Sequence, residues 1–112
     1  KRWLKHVAIV NLEPIFQDLS THFVLPYRQV GWRFQKTRWG SCSSEKKISL
    51  NVKLLFLSAA QVRYVMLHEL CHTRYLTHGK RFWQLLEKVY PGAMMVDREL
   101  YHQDHGSTAW LE

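Results

Sequence analysis

The stretch His68-Glu69-Leu70-Cys71-His72-Thr73-Arg74-Tyr75-Leu76-Thr77-His78 decides the fold, because it has the spacing of a metal site on a helix. Residues four apart on an α-helix lie on one face about one turn apart, so His68 and His72 can bind one metal ion from the same side. Glu69 lies at the edge of that face, where its carboxylate can reach a metal-activated water without becoming a ligand. The stretch therefore predicts a zinc hydrolase with Glu69 as general base.

A third metal ligand has to come from outside that helical face. His78 follows His72 by six residues, so it reaches the metal only if the helix ends near Tyr75 or Leu76. The following Gly79 favours such an end. Three neutral imidazoles would leave one position on Zn²⁺ open for water, which suits a catalytic site.

Carboxylates from later helices, Glu87 or Glu99, are the alternative third ligand. The spacing H-E-x-x-H-x-x-x-x-x-H favours His78, because metzincins place their third ligand in the same way. Metzincins, however, have Gly for a sharp turn where this chain has Tyr75. The turn has to be made otherwise, and the chain is not interpreted as a metzincin.

The length of 112 residues predicts one domain, residues 1–112. Because the chain begins at Lys1 rather than Met, we expect that an upstream piece has been trimmed. No apolar run approaches the roughly 18 residues of a membrane span, so no membrane partner is expected. Two cysteines, Cys42 and Cys71, are too few for a disulfide framework, which favours a cytoplasmic location. The oligomeric state is not predicted.

The formal net charge of +7 is compatible with a nucleic acid, an anionic lipid or a phosphate-bearing substrate as partner. The cations are dispersed along the sequence, without a run of five or six. This dispersal favours a solvated surface over a polyanion contact, although a nucleic-acid contact stays open.

The N-terminal segment has the apolar periodicity of an amphipathic helix, interrupted by Pro14. It is therefore predicted as two helices, the second capped by Asn11. Residues 29–37 and 47–52 alternate in the manner of strands, and the turn-rich residues 40–44 lie between them. These two strands are predicted to pair as an antiparallel hairpin with a longish loop.

The second half of the chain is predicted to be helical. Ser58 and Gln61 form a capping-box pattern, which begins a helix running to about residue 76. A helix over residues 80–90 and a last one over residues 93–104 follow. Together with the strands, these elements predict an α+β, minimal zincin-like fold: an N-terminal helix, a small antiparallel sheet, the active-site helix and C-terminal helices.

Several further residues have a chemical and a packing interpretation. His102 and His105 form a loose pair beside Asp104, and an exposed helix end explains them better than a metal. Cys71 is interpreted as a small core hydrophobe. The aromatic residues that could stack on bases are also interpreted mainly as core: Trp32, Trp39, Phe82 and Trp83.

Four blocks of the sequence resemble a known family in order and spacing. They are Arg38-Trp39-Gly40-Ser41-Cys42-Ser43, Ile48-Ser49-Leu50-Asn51, His68-Glu69-Leu70-Cys71-His72 and His78-Gly79-Lys80-Arg81-Phe82-Trp83. The family is the YgjP-like metallopeptidase domain, a relative of the SprT-like and WLM zinc peptidases. The resemblance implies Zn²⁺ held by His68, His72 and His78, with Glu69 catalytic. Thr77 stands where the family usually has Asn, and either residue can cap the next helix.

Three functions follow from the sequence. The leading one is a zinc metallopeptidase whose peptide or protein substrate adds to the exposed edge of strand 47–52. The candidates for stabilising the oxyanion of this reaction are Arg38, Tyr75 and Tyr101. The alternative is a zinc hydrolase of a phosphoanhydride or phosphodiester, such as an anionic nucleotide. The third is a non-catalytic zinc-stabilised module that binds nucleic acid, against which Glu69 argues.

Overall fold

The fold is seen in a computed structural model, which describes the backbone of residues 2–103 and the side chains of residues 2–100. A three-stranded sheet and four α-helices confirm the predicted α+β class. The elements in chain order are α1 (Arg2–Phe23), β1 (Gln29–Arg33), β2 (Gly40–Cys42), β3 (Lys47–Asn51), a 3₁₀-helix (Val52–Phe56), α2 (Ala59–Cys71), α3 (Lys80–Val89) and α4 (Ala93–Gln103).

Helix α1 is continuous, so the predicted break at Pro14 is wrong. Pro14 lies on the exposed side of the helix. There the carbonyl that loses its partner to the proline ring can be hydrated. Asn11 caps no second helix, because its side-chain amide donates to the Val7 carbonyl within α1 (2.8 Å).

The sheet is mixed, with strand order β1-β3-β2. The predicted antiparallel hairpin is wrong: β1 and β3 are neighbours, but they run parallel. The turn-rich segment contains β2, which pairs antiparallel with β3. Ser43 organises the short turn between them, since its hydroxyl accepts the N–H groups of Glu45 and Lys47, both at 3.2 Å. Lys46 takes the left-handed conformation there (φ 64°) without a glycine.

The two faces of the sheet differ in burial. On β3, Ile48 and Leu50 are buried against the core, whereas Lys47 is exposed and Ser49 half-buried on the other face. The predicted alternation of β1 is confirmed for Trp32, which is buried, but the strand ends before Phe34. The face that carries Ile48 and Leu50 is called the inner face below, and the face that carries Lys47 and Ser49 the outer face.

Helix α2 lies in the middle of the molecule and contacts α1, α3, α4 and the sheet. Eight consecutive residues of it, from Tyr64 to Cys71, are buried. Helix α3 follows the predicted pattern, because Phe82, Leu86 and Val89 are buried and face the core. Within the described residues, no helix is long and apolar enough to cross a membrane.

Candidate metal centre

Helix α2 carries the candidate site residues at its C-terminal end, and a capping box fixes where the helix begins. The predicted capping box is confirmed, because the Ser58 hydroxyl accepts the Gln61 N–H (3.2 Å) and the Gln61 side chain accepts the Ser58 N–H (3.1 Å). At the other end His68, Glu69 and His72 are only 1%, 1% and 3% exposed. Three ionisable side chains are therefore held in the core, where they need partners.

The helix ends at Cys71, before the predicted end at Tyr75 or Leu76. The N–H groups of His72 and Thr73 donate to carbonyls three residues back, at 3.1 and 3.0 Å, which tightens the last turn. No left-handed residue is needed, and Tyr75 is not one. This tightened turn replaces the glycine turn of metzincins.

Gly79 and Thr77 do not have the roles predicted for them. Gly79 does not end α2; it is the N-cap residue of α3, with an ordinary φ of −83° and no side-chain cap. Thr77 lies before that position and does not cap α3. The connection over residues 72–79 is an irregular loop, and the side chain of His78 returns from it to the end of α2.

The loop brings His78 against the two histidines of the helix. The Nε2 atoms of His72 and His78 lie 3.0 Å apart. One ring nitrogen from each of His68, His72 and His78 lies within 4.8 Å of the others, so the three could hold a metal ion. The other candidates lie elsewhere: Glu87 accepts the N–H groups at the start of α4 (3.0 and 3.2 Å), and Glu99 is exposed.

The tautomer of His72 suits a metal ligand. Its Nδ1 lies 2.9 Å from the Tyr75 carbonyl, which can only accept, so Nδ1 carries the proton. The Nε2 lone pair, which faces His78, is then left for a metal. Backbone carbonyls commonly orient metal-binding histidines in this way, and the early end of α2 is what places the Tyr75 carbonyl there.

Phe82 supports all three imidazoles, a role that the sequence did not reveal. Its ring stacks on His72 (centroids 4.4 Å apart, planes at 24°) and meets His68 and His78 edge-on at 5.1 and 4.9 Å. Phe82 is completely buried. It was predicted only as core, because its position in the first turn of α3 becomes informative only once the loop path is known.

Burial shifts the ionisable groups of the site toward their neutral forms. It lowers the pKa of His68 to about 4 and also lowers the pKa of His72. It raises the pKa of Glu69 to about 7, against the opposing positive fields of His72 and Arg38. His68 Nδ1 lies 3.3 Å from Glu69 Oε2, and with these shifts the contact is a hydrogen bond of a neutral ring rather than an ion pair. Neutral imidazoles are the form that binds metals.

Gly40 lets the sheet approach the carboxylate of Glu69. A Cβ atom at Gly40 would lie 2.9 Å from Glu69 Cγ and 3.2 Å from the Ser49 carbonyl oxygen, so only glycine fits without a shift. The sequence placed Gly40 in a turn, and only the resemblance to the family singled out its block. Within the described part of the chain, Glu69 Oε1 and Trp39 Nε1 are buried without a hydrogen-bond partner.

A second buried pair packs beside His68. The Tyr64 hydroxyl donates to Asp97 Oδ1 (2.8 Å), and the Tyr64 ring lies 5.9 Å from that of His68. Burial, followed by the Asp97 charge, raises the pKa of Tyr64. Asp97 also opposes the lowering of the His68 pKa. This pair was not predicted, since it joins residues 33 positions apart.

Other predicted residues lie outside the cluster. Cys71 is a buried free thiol whose pKa burial raises to about 12, which confirms its interpretation as packing. Trp32 is buried as predicted, while Trp39 and Trp83 are half-buried against the core. The side chains of Tyr101, His102 and His105 lie outside the described residues.

A known protein family has the same sequence pattern as this chain. The YgjP-like metallopeptidase domain matches residues 1–103. The chain belongs to the YgjP-like metallopeptidase domain family. No curated protein matches the sequence.

The YgjP-like domain is also similar to a solved structure, that of the metallopeptidase zymogen abylysin of Pyrococcus abyssi. The TM-score is 0.70 at 25% identity, over 81% of this chain and 92% of that one. Membership of a metallopeptidase family implies a metal ion. Three buried or half-buried imidazoles and the unpartnered buried oxygen Glu69 Oε1 fit such an ion and a water beside it.

Proposed function

We propose that this YgjP-like domain is a zinc-dependent metallopeptidase that uses Glu69 as general base. The observation that carries the proposal is the position of the Glu69 carboxylate. It lies beside three imidazoles whose ring nitrogens come within 4.8 Å of one another, and its Oε1 is buried with no hydrogen-bond partner among the described residues. A buried carboxylate oxygen without a partner is costly, and a water to be deprotonated would satisfy it.

The residues divide the work as follows. His68, His72 and His78 would hold the ion, and three neutral nitrogen ligands are typical of catalytic zinc. Bound there, zinc would lower the pKa of a water toward about 7 and would polarise the scissile carbonyl. Glu69 takes the proton from that water and delivers it to the leaving amine. Arg38 is the best-supported candidate for stabilising the oxyanion, because its charge acts on Glu69.

The predicted docking of substrate on strand 47–52 is wrong. That strand is β3, the central strand, and β1 and β2 pair with its two edges. The strand edge next to Glu69 is that of β2, because Gly40 contacts the carboxylate. Among residues 2–103, no strand pairs with the other side of β2.

Strand β2 can offer its backbone to an extended peptide. The Trp39 carbonyl and the Ser43 N–H both bond to β3, at 3.0 and 2.9 Å. In an antiparallel ladder, alternate residues direct their N–H and C=O groups to opposite sides. Gly40 and Cys42 therefore direct theirs away from β3. We propose that the substrate pairs with these two residues and lies across the site.

Substitution Glu69→Gln tests the assigned role. We expect the zinc-loaded variant to lose at least about a hundredfold in kcat/KM on casein or a peptide library, since a general base contributes on that order. Zinc content, measured by atomic absorption, should be unchanged because no ligand is removed. The matched control is Glu99→Gln, an exposed carboxylate, which should keep full activity. Retained turnover in Glu69→Gln would overturn the mechanism.

The same assay separates peptide hydrolysis from phosphate-ester hydrolysis. Nucleoside triphosphates are offered beside the peptides, and phosphate release is measured. Activity on the triphosphates alone, lost in Glu69→Gln, would assign the site to the alternative substrate class. The cavity lined by Arg33, Arg38 and Lys47 lies on the outer face of the sheet, whereas Glu69 lies at the inner face. The position of this cavity therefore does not favour a phosphate substrate at the metal.

A further inference from the structure

The outer face of the sheet carries a cavity of about 480 Å³. Its floor is a row of small residues that crosses all three strands, because the registers pair Gly31 with Ser49 and Ser49 with Ser41. Lys47 and Arg33 lie two residues away from this row on opposite sides of it, and Arg38 precedes β2. The outer-face groove comprises Gly31, Arg33, Arg38, Ser41, Lys47 and Ser49.

The groove gathers positive charge that is dispersed along the sequence. Residues 28–47 contain six Lys and Arg residues, and three of these line the groove: Arg33, Arg38 and Lys47. No carboxylate from the described part of the chain lines the cavity. The one acid of the segment, Glu45, lies 3.6 Å from Lys47 in a largely exposed pair, which offsets little of the field. Arg33 forms no ion pair with any described residue.

Gly31 keeps the cavity open. No atom of the described residues lies within 4 Å of a Cβ placed there, and the φ of Gly31 is not in the left-handed region. Neither a close approach nor backbone strain therefore requires glycine at this strand position, where glycine is disfavoured. The missing side chain serves only to leave space above the floor.

We propose that the outer-face groove binds single-stranded nucleic acid. Guanidinium, ammonium, amide and hydroxyl groups line it, and these are the groups that contact phosphate oxygens. Phe34 lies at the rim with 37% of its surface exposed, where a base can stack. Three strands span only about 10 Å, which suits one strand better than a duplex. An acidic peptide would satisfy the cations but would gain nothing from Phe34.

Neither Glu69 nor the histidines line the groove, and the variants below leave Arg38 unchanged, the one groove residue that is also the oxyanion candidate. Loss of binding can therefore be told apart from loss of the proposed peptidase function. Fluorescence anisotropy with a labelled oligodeoxythymidylate of about 20 nucleotides, at about 50 mM salt, measures it. The double variant Arg33→Ala/Lys47→Ala should weaken binding about tenfold and flatten the salt dependence. The matched control Lys5→Ala/Lys88→Ala removes the same charge from exposed positions on α1 and α3. It should change Kd less than about threefold.

Gly31→Leu separates shape from charge. It should weaken binding several-fold without changing the net charge, because the leucine side chain enters the cavity. Equal losses in Arg33→Ala/Lys47→Ala and in the Lys5→Ala/Lys88→Ala control would overturn the proposal, since binding would then follow net charge alone. Tighter binding of a poly-glutamate peptide than of the oligonucleotide would assign the groove to an acidic polypeptide instead. Circular dichroism confirms that each variant is folded.

Discussion

The two faces of the small sheet carry opposite chemistry on the same three strands. The inner face brings Gly40 against the Glu69 carboxylate and buries Ile48 and Leu50. The outer face carries Ser49 and Lys47, from the same strand as Ile48 and Leu50, beside open space. Alternation along β3 thus separates a buried side, next to Glu69, from an exposed cationic side by the thickness of one sheet.

Each face of the sheet has one glycine, and the space around the two glycines differs. Gly40 lacks a side chain because a carboxylate and a carbonyl occupy the space, whereas Gly31 lacks one beside empty space. The first glycine allows the sheet to approach the proposed general base, Glu69. The second leaves room for a ligand. Substitution of Gly40 should therefore lower peptidase activity, whereas substitution of Gly31 should weaken binding in the outer-face groove.

The largest effect is expected from Gly40→Val. Its Cβ would meet Glu69 Cγ at 2.9 Å and a backbone oxygen of β3 at 3.2 Å, and the backbone cannot give way easily. Displacing the general base by about 1 Å should lower kcat/KM on peptides about a hundredfold. Zinc content should be largely unchanged.

Gly31→Val is the control on the opposite face. Its Cβ meets nothing within 4 Å, and valine suits a strand, so peptidase activity should stay within about threefold of wild type. Equal losses of peptidase activity in the two variants would show that the faces are not separate. Loss of zinc from Gly40→Val would show that Gly40 supports the metal rather than the base.

The sequence predicted the parts of the site that depend on local geometry. Helical spacing placed His68, Glu69 and His72 together, and the capping box at Ser58 placed the start of α2. Both patterns act within one or two turns, so neighbouring residues suffice to interpret them. His78 was favoured from its spacing, and the structure brings it to the cluster.

The strand directions and the helix end could not be obtained in that way. Alternation shows on which face of the sheet each strand residue lies, but not the direction of the neighbouring strand. The sequence therefore predicted an antiparallel pair, whereas β1 and β3 run parallel. Strand β2 is stabilised by pairing with β3 rather than by its own composition. The end of α2 uses tightened hydrogen bonds at His72 and Thr73, which leave no glycine as a sequence signal.

Asn51 holds the loop of residues 34–39, which connects β1 to β2. Replacing Asn51 should have the next largest effect. The Asn51 amide is 2% exposed and donates to the carbonyls of Gln35 and Arg38, at 2.9 and 2.7 Å. Asn51→Ala would leave both carbonyls without this donor, which should lower the free energy of unfolding by about 2–3 kcal/mol in urea. Asn11→Ala, which removes an exposed amide bonded within α1, should change it by less than about 0.5 kcal/mol. Similar values for the two variants would contradict the role of Asn51.

The smallest expected effect is on how the stability of the metal-free protein depends on pH, through the buried side chains of Glu69 and His68. Burial raises the pKa of Glu69 from 4.5 to about 7, so between these pH values the folded state keeps a proton that the unfolded chain has lost. Stability of the wild type therefore falls as pH rises through this window. His68, whose pKa burial lowers from 6.5 to about 4, acts in the opposite direction, because the unfolded chain takes up a proton that the folded state refuses.

Substitution Glu69→Gln removes the first contribution and leaves the second. The Tm of metal-free Glu69→Gln minus that of wild type should therefore increase from pH 4.5 to pH 7 and then level off. A change of at least about 5 °C is expected, and calorimetry in the presence of a chelator measures it. Glu99→Gln, at an exposed carboxylate, is the matched control. A constant difference for Glu69→Gln would contradict the raised pKa of Glu69 and its burial at the inner face.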